Sequence, residues 1–233
     1  MDRVIGILGG MGPEATIDLY RHIITLTPAN RDQDHIRTVI SSDPKIPDRT
    51  CAILEGGEDP LPYLIRAARL LEDAGVGVLA IPCNAAHFFL PRLRERVGVP
   101  ILDMIGETCS AFCAQFPEAR TVGLLGASGT VRSGIYESGF RTAGIAVLVP
   151  DEHDQQRVQS GISSVKAGTH DSATRDMFQS IGCDLVRAGA QAVILGCTEI
   201  PLAFDPSRVD YRTLNPTRIL AQAAVDWALG RRD

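Results

Sequence analysis

The chain of 233 residues has little that would tie it to a membrane or to nucleic acid. No apolar stretch approaches the roughly 18 residues that a membrane-spanning helix needs. The amino-terminal "MDRVIGILGGMGPEAT" lacks the order of basic, apolar and small residues that marks a signal peptide. The 23 Lys and Arg residues are scattered and the net charge is -5. These absences predict a cytoplasmic protein that binds neither membrane nor nucleic acid.

Cysteine pairs of the metal-binding or redox type are also missing. No C-x-x-C pair occurs, which argues against a zinc finger or a thioredoxin-like site, and we expect no bound metal. In a cytosolic chain the thiols are expected to be reduced, buried small side chains unless they have a chemical role. The chain has six cysteines: Cys51, Cys83, Cys109, Cys113, Cys183 and Cys197.

What the sequence does contain is a regular alternation of short aliphatic runs and longer helical patterns. This alternation is typical of mostly parallel sheets flanked by helices, so the expected fold class is α/β. Asp103 and Asp171 precede helical patterns and are expected to be N-caps. Strands are predicted at 3–8, 35–40, 76–81, 99–102, 120–126, 145–149, 190–196 and 209–214. Helices are predicted at 13–27, 61–74, 104–116, 129–143, 171–188 and 216–229.

The two halves of the chain resemble each other. "IGILGG" at 5–10 matches "VGLLGA" at 122–127, and "AGVGVLAIPC" at 74–83 matches "AGAQAVILGC" at 188–197. Further matches follow in the same order at a nearly constant spacing. The pattern therefore predicts a duplicated α/β unit.

We expect this duplication to give two pseudo-symmetric domains, residues 1–103 and 104–215. A final helix, about 216–233, is expected to pack back on the first domain. Open α/β sheets bind ligands at the carboxyl ends of their strands. The active site is therefore expected in the cleft between the two domains.

The matching segments end in Cys83 and Cys197. A thiol between a strand end and a helix N-terminus lies near unpaired N–H groups that lower its pKa and also bind carboxylates. Two such thiols suit the removal of a proton from one face of a carbon and its return to the other, which is racemisation or epimerisation. The polar residues that follow, Asn84 in one case and Thr198 with Glu199 in the other, disfavour two merely buried cysteines.

Other interpretations of these motifs remain open. Cys83 with His87 as its base would give a hydrolase or transferase, but this leaves Cys197 unexplained. The glycine-rich "GILGGMGPEAT" is neither a dinucleotide fingerprint nor a Walker loop. Carboxylate binding is favoured there over nucleotide binding, and a tight strand–helix turn is the third possibility. Arg49 in "IPDRT" is placed to grip a carboxylate, or is an ordinary surface residue.

Together "GGMGPEAT", "IPDRT", "PCNAAH" and "LGCTEIP" resemble the aspartate/glutamate racemase family that works without pyridoxal phosphate, and its aspartate racemase branch in particular. The resemblance covers essentially the whole chain. It implies a pseudo-symmetric two-domain homodimer without a cofactor that acts on aspartate, and on glutamate if the specificity is wider. Cys83 and Cys197 would be the two catalytic bases.

The resemblance also implies the substrate contacts. Arg49 and Lys166 would bind the distal carboxylate of the acidic amino acid, and Thr130 would line the site. The α-carboxylate would be held by the groups around Met11, Gly12, Asn84, Ala85 and Thr198.

The chain departs from the family pattern at several positions. Ala85 stands where Thr is frequent, and Asn215 where an acid is common. The first turn has Met11, and Thr-Glu follows Cys197, whereas glutamate racemases typically have Asp-Ser and Thr-His there, which argues against a dedicated cell-wall glutamate racemase. Two rivals stay open: a maleate-type dicarboxylate isomerase with one nucleophilic cysteine, and a catalytically silent dicarboxylate-binding protein.

Overall fold

The computed structural model describes residues 3–232, and its strands form two parallel sheets. The first sheet contains Ile5–Gly9 (β1), Thr38–Ser42 (β2) and Val78–Ala80 (β3) in the order β2-β1-β3. The second contains Thr121–Gly126 (β4), Ala146–Leu148 (β5), Val193–Gly196 (β6) and Thr213–Leu214 (β7) in the order β5-β4-β6-β7. Residues 1, 2 and 233, which belong to the amino-terminal segment and the final helix considered above, lie outside the described part.

The two sheets repeat one strand order, which confirms the predicted pair of pseudo-symmetric α/β units. In the first sheet a single parallel bridge between Leu79 and Ile101 takes the place that β7 has in the second. The strand predicted at 99–102 is therefore reduced to one bridged residue. The boundary between the domains at residue 103 stays a prediction.

Helices cover both faces of the sheets. None of them within residues 3–232 combines the length and the hydrophobicity that a membrane crossing requires. In chain order they are Pro13–Leu26 (α1), Arg49–Leu54 (α2), Leu61–Asp73 (α3), Leu90–Arg94 (α4), Met104–Gln115 (α5), Ser128–Arg132 (α6), Ile135–Phe140 (α7), Glu152–Lys166 (α8), Ser172–Arg187 (α9), Ile200–Ala203 (α10) and Pro216–Ala228 (α11).

One helical prediction was wrong and one long helix was missed, each for a local reason. The helix expected at 129–143 is split into α6 and α7 because Gly134 adopts a left-handed conformation with φ of 67°. The long helix α8 was missed because its sequence is mostly polar. Its apolar stripe consists of Val158, Ile162 and Val165, which are buried against the second sheet.

Side-chain caps fix where several helices begin. Asp103 accepts from the N–H groups of the first turn of α5, and Asp171 does the same for α9, as predicted. Asn215 caps α11 in the same way that Asp103 caps α5. Position 215, where the resemblance led us to expect an acid, therefore serves in this chain as a helix cap.

The last helix packs against the first sheet, whose strands are distant from it in sequence, and also contacts α5 and β6. Leu220 and Ala224 of α11 lie in one buried cluster with Ile5 of β1 and with Leu19 and Ile23 of α1. The halves also meet where α6 packs against α2. A Cβ atom on Gly129 of α6 would collide with the backbone of Thr50 in α2, so the second half approaches the first closely at this point.

Candidate active site

Both cysteines line one small cavity between the two sheets. Cys83 follows β3 and Cys197 directly follows β6, so the carboxyl ends of matching strands deliver them to the same place. This inner cavity of about 20 Å³ also has in its wall Met11, Arg49, Asn84, Ala85, Thr130, Lys166 and Thr198. Sequence reasoning had singled out all of these residues.

A larger outer cavity of about 340 Å³ adjoins the inner one, and five residues line both: Met11, Asp48, Arg49, Lys166 and Glu199. Gly12, the remaining predicted residue, lines this outer cavity. Sequence reasoning missed several members of the inner wall as site residues: Asp48, Thr50, Ala127 and Glu199. Asp48 lies in the quoted motif "IPDRT" and Glu199 in "LGCTEIP", and each stands within two residues of a predicted site residue.

The glycine-rich segment forms a tight turn between β1 and α1. Gly10 has φ of 93°, and a Cβ atom there would collide with the backbone of Asp43. The Thr16 hydroxyl accepts the Gly10 N–H at 2.9 Å and donates to the Gly12 carbonyl at 2.9 Å, which fixes the turn. The turn itself is thus confirmed, and carboxylate binding by its backbone stays a prediction.

Hydrogen bonds connect the halves beside the cysteines. The Tyr136 hydroxyl of α7 donates to Asn84 Oδ1 at 2.6 Å. The Thr198 hydroxyl lies 3.4 Å from the Pro82 carbonyl and 3.3 Å from Glu199 Oε2, and its single proton can go to either. Asn84, next to Cys83, is therefore held by the second half, and Thr198, next to Cys197, lies within hydrogen-bond distance of the first half.

Buried hydrogen-bond donors around the inner cavity lack protein partners. Arg49 is 7% exposed, and its Nη1 donates to the carbonyls of Ile46 and Pro47 at 3.0 and 2.7 Å. Among the described residues, Arg49 Nε, Asn84 Nδ2 and Thr130 Oγ1 have no partner. An unsatisfied buried polar group costs about 1–3 kcal/mol, so this set favours a ligand rich in acceptor oxygens.

The cavity walls also carry charges without close partners. In the part of the chain that the structure describes, no salt bridge within 4.0 Å involves Arg49, Lys166 or Glu199. Lys166 is the last residue of α8. Burial lowers the pKa of its ammonium, but the titratable groups nearby, Cys197 foremost, raise it by more, so the pKa of Lys166 lies above its ordinary value. Two cations and orphaned donors together suit an anionic ligand.

The thiol of Cys197 is paired with a carboxylate. Its S–H donates to Glu199 Oε2 at 3.0 Å in a buried environment. Burial and then the negative charge of Glu199 raise the pKa of Cys197 well above its ordinary value. This direction is opposite to the expected lowering, because burial and the neighbouring carboxylate both disfavour the thiolate.

The imidazole of His87 is used structurally. Its Nε2 accepts the Met104 N–H at 3.1 Å, which places the ring proton on Nδ1, and Nδ1 donates to the Cys83 carbonyl at 2.9 Å. Burial lowers the pKa of His87, which keeps the ring neutral. With both nitrogens engaged by backbone, His87 is not arranged as the base of the Cys83 thiol, and the nucleophile–base alternative loses its support.

Comparisons with known proteins point to one family. A sequence model described as "Asp/Glu/Hydantoin racemase" matches residues 8–224. The broad specificity amino-acid racemase RacX of Bacillus subtilis is 28% identical over 228 residues, covering 95% of this chain and 96% of that protein. The structure of Picrophilus torridus aspartate racemase has a TM-score of 0.86 and 32% identity, covering 97% of this chain and 94% of that one.

A more distant structure shares the fold. Glutamate racemase of Francisella tularensis, solved in complex with D-glutamate, has a TM-score of 0.72 at 17% identity, covering 99% of this chain and 82% of that one. It supports the two-sheet architecture.

Proposed function

Because the chain belongs to the Asp/Glu/Hydantoin racemase family and is therefore an isomerase, we propose that it interconverts L- and D-aspartate without pyridoxal phosphate. The observation that carries the proposal is that Cys83 and Cys197, delivered by matching strands of two sheets, line one cavity with two cationic side chains. A pair of thiols on opposite sides of a carbon is the arrangement that a two-base racemase needs.

The proposed chemistry is a proton exchange at the α-carbon. The thiolate of one cysteine takes the α-proton, and the electron pair of the C–H bond passes to the α-carboxylate. The thiol of the other cysteine donates its proton to the opposite face, which inverts the centre. The orphaned Asn84 Nδ2 would stabilise the extra negative charge of the carboxylate, because it is already in place and needs no reorganisation.

The distal carboxylate would bind Arg49 and Lys166. Arg49 is buried in a fixed position by two loop carbonyls, so its guanidinium is oriented before the substrate arrives. Lys166 comes from the second half of the chain. Binding of an acidic side chain would thereby draw on both halves.

A broader substrate range is the second candidate. The outer cavity offers about 340 Å³, and apolar side chains such as Ile46, Val165 and Leu202 line part of it, which leaves space for side chains longer than that of aspartate. The likeness to RacX, a racemase of broad specificity by its name, points the same way. Glutamate and neutral amino acids therefore belong in the first assay.

The first test is chiral chromatography of L-aspartate, L-glutamate and neutral amino acids after incubation with the purified protein. We expect D-aspartate to form until both enantiomers are equal. No conversion of any acidic amino acid would overturn the proposal. A thioether adduct with maleate, detected by mass spectrometry, would identify the rival isomerase, and binding of aspartate without incorporation of solvent deuterium would identify the silent protein.

The second test separates the two cysteines. Cys83→Ser and Cys197→Ser should each abolish racemisation, because a serine hydroxyl is far too weak an acid to supply the anion near neutral pH. Each variant keeps one thiol and should still exchange the α-proton of the enantiomer that faces it in deuterated water. We expect opposite enantiomer preferences in the two variants. Full racemisation by either one would exclude the two-thiol mechanism.

Three further features complete the proposal. Activity should survive dialysis and chelation, and a requirement for pyridoxal phosphate or a metal would contradict cofactor independence.

We propose a homodimer, tested by analytical ultracentrifugation. A cytoplasmic location is proposed from the sequence and is tested by cell fractionation.

A further inference from the structure

Glu199 is a buried carboxylate whose contacts the two-thiol scheme does not use. It is 3% exposed, and its Oε2 accepts the S–H of Cys197 at 3.0 Å. Its other oxygen, Oε1, lies against Gly12, where a Cβ atom would come within 3.1 Å of it. Oε2 also lies 3.3 Å from the Thr198 hydroxyl, and the charge of Glu199 contributes to the raised pKa of Lys166, although no salt bridge within 4.0 Å joins these two residues. The Cys197 thiol is therefore the nearest titratable partner of Glu199 among its hydrogen bonds.

Glu199 also stands at the boundary of the two cavities. It lines the inner cavity together with both cysteines and the outer cavity together with Gly12 and Glu14. Cys197 lines only the inner one. A carboxylate in this position connects the thiol to the larger and more open space.

The pseudo-symmetry between the halves breaks at this residue. Cys83 is followed by Asn84 and Ala85, whereas Cys197 is followed by Thr198 and Glu199. The position equivalent to Glu199 is thus Ala85, whose methyl group can neither accept nor donate a proton. Among the described residues, no carboxylate forms a hydrogen bond with the thiol of Cys83.

We propose that Glu199 is a positioning residue and the proton partner of Cys197 alone, so that the two bases of the enzyme are not equivalent. In the step concerned, the S–H bond breaks with its electron pair left on sulfur, and the proton passes to Glu199 Oε2 to give thiolate and carboxylic acid. After Cys197 has given its proton to substrate, Glu199 takes up a proton from solvent water in the outer cavity and passes it to the sulfur, which restores the thiol and the carboxylate. This inference rests on the proposed racemase function.

The charge of Glu199 also sets how Cys197 titrates. Removing that charge should lower the pKa of Cys197, because the carboxylate disfavours a neighbouring thiolate. Several other titratable or charged groups line this cavity or act on its thiols, and all of them stay in place in the variant: Asp48, Arg49, Cys83, Tyr136 and Lys166.

The test compares Glu199→Gln with the parent. Glutamine keeps the size of the side chain and an oxygen that accepts the S–H, but it cannot take up the proton. Alkylation of each cysteine by iodoacetamide is followed against pH by mass spectrometry of the peptides. We expect the midpoint for Cys197 to move to lower pH and that for Cys83 to move clearly less. Circular dichroism checks that the fold is retained.

Glu14→Gln is the matched control, since Glu14 also lines the outer cavity but has no hydrogen bond to a thiol. In this control the alkylation midpoints of Cys83 and Cys197 should both stay where they are in the parent. Glu199→Asp keeps the negative charge, so its Cys197 midpoint should lie between those of Glu199→Gln and the parent. A Cys197 midpoint that stays in place in Glu199→Gln, or equal shifts of both cysteines, would overturn the inference.

A kinetic comparison adds the catalytic consequence. In the Cys83→Ser background, where only Cys197 acts, Glu199→Gln should slow α-proton exchange by about tenfold or more. In the Cys197→Ser background it should have a much smaller effect, and equal losses in both backgrounds would contradict the proposal. If the parent racemises no amino acid, the proposed function fails, while the alkylation profiles still decide the pairing of Glu199 with Cys197.

Discussion

At the scale of single residues, Arg49 offers the clearest prediction about substrate binding. Arg49→Ala should lower kcat/KM for aspartate by about tenfold or more, chiefly through KM, because a buried charge-assisted contact contributes about 1.5–3 kcal/mol. Arg49→Lys should recover only part of the lost kcat/KM, since an ammonium cannot form the bidentate hydrogen bonds of a guanidinium with a carboxylate. Lys45→Ala, an exposed change in the same loop, is the control. Parent-like kinetics of Arg49→Ala would mean that Arg49, although buried beside the cavity, does not bind the substrate.

At the scale of elements, the caps of α5 and α11 show how one structural task is done by different side chains. Asn215 Oδ1 accepts from the N–H groups of Thr217 and Arg218 at 2.9 and 3.3 Å. Asn215→Ala should therefore lower the free energy of unfolding by about 1 kcal/mol. Asn215→Asp should preserve or raise it by about 0.3–1 kcal/mol, since the carboxylate also interacts with the helix dipole.

The gain from Asn215→Asp depends on the charge of the carboxyl group. The N–H groups and the dipole lower the pKa of such an aspartate in the folded state, so the gain is present at neutral pH and is lost as the pH falls through that pKa. Urea unfolding followed by circular dichroism, at neutral and at acidic pH, measures both variants. A loss for Asn215→Asp as large as that for Asn215→Ala at neutral pH would contradict the capping role.

At the scale of the whole molecule, helix α11 from the end of the chain forms part of the hydrophobic core around β1 and α1. Leu220 of α11 is fully buried among residues of α1 and β1. Leu220→Ala should lower the free energy of unfolding by about 2–5 kcal/mol, because it leaves a cavity in that core. Leu229→Ala, at a site 41% exposed, is the control and should change it by about 0.5 kcal/mol or less. Chemical denaturation that gives equal effects would show that α11 is not integral to the fold.

The α/β alternation, the repeated strand order and most of the residues that line the inner cavity could be predicted because they depend on local patterns. Strand periodicity marks where a strand ends, and the carboxyl ends of parallel strands meet at one edge of a sheet. Element boundaries were less predictable. Gly134 divided a predicted helix, and the polar α8, which carries Lys166, has too few apolar residues to be recognised.

By itself the sequence determined the fold class, the duplication and the equivalent positions of Cys83 and Cys197, since each follows from periodicity along the chain. Only the tertiary structure decided how the surrounding groups act. Met104, seventeen positions along the chain, engages the ring of His87 and removes it as a base. Glu199 accepts the S–H of Cys197 in a buried site, and burial together with the negative charge of Glu199 raises the pKa of Cys197. The contact of His87 depends on a segment distant in sequence, and the burial of Cys197 and Glu199 depends on the packing of both halves around them, which no local pattern encodes.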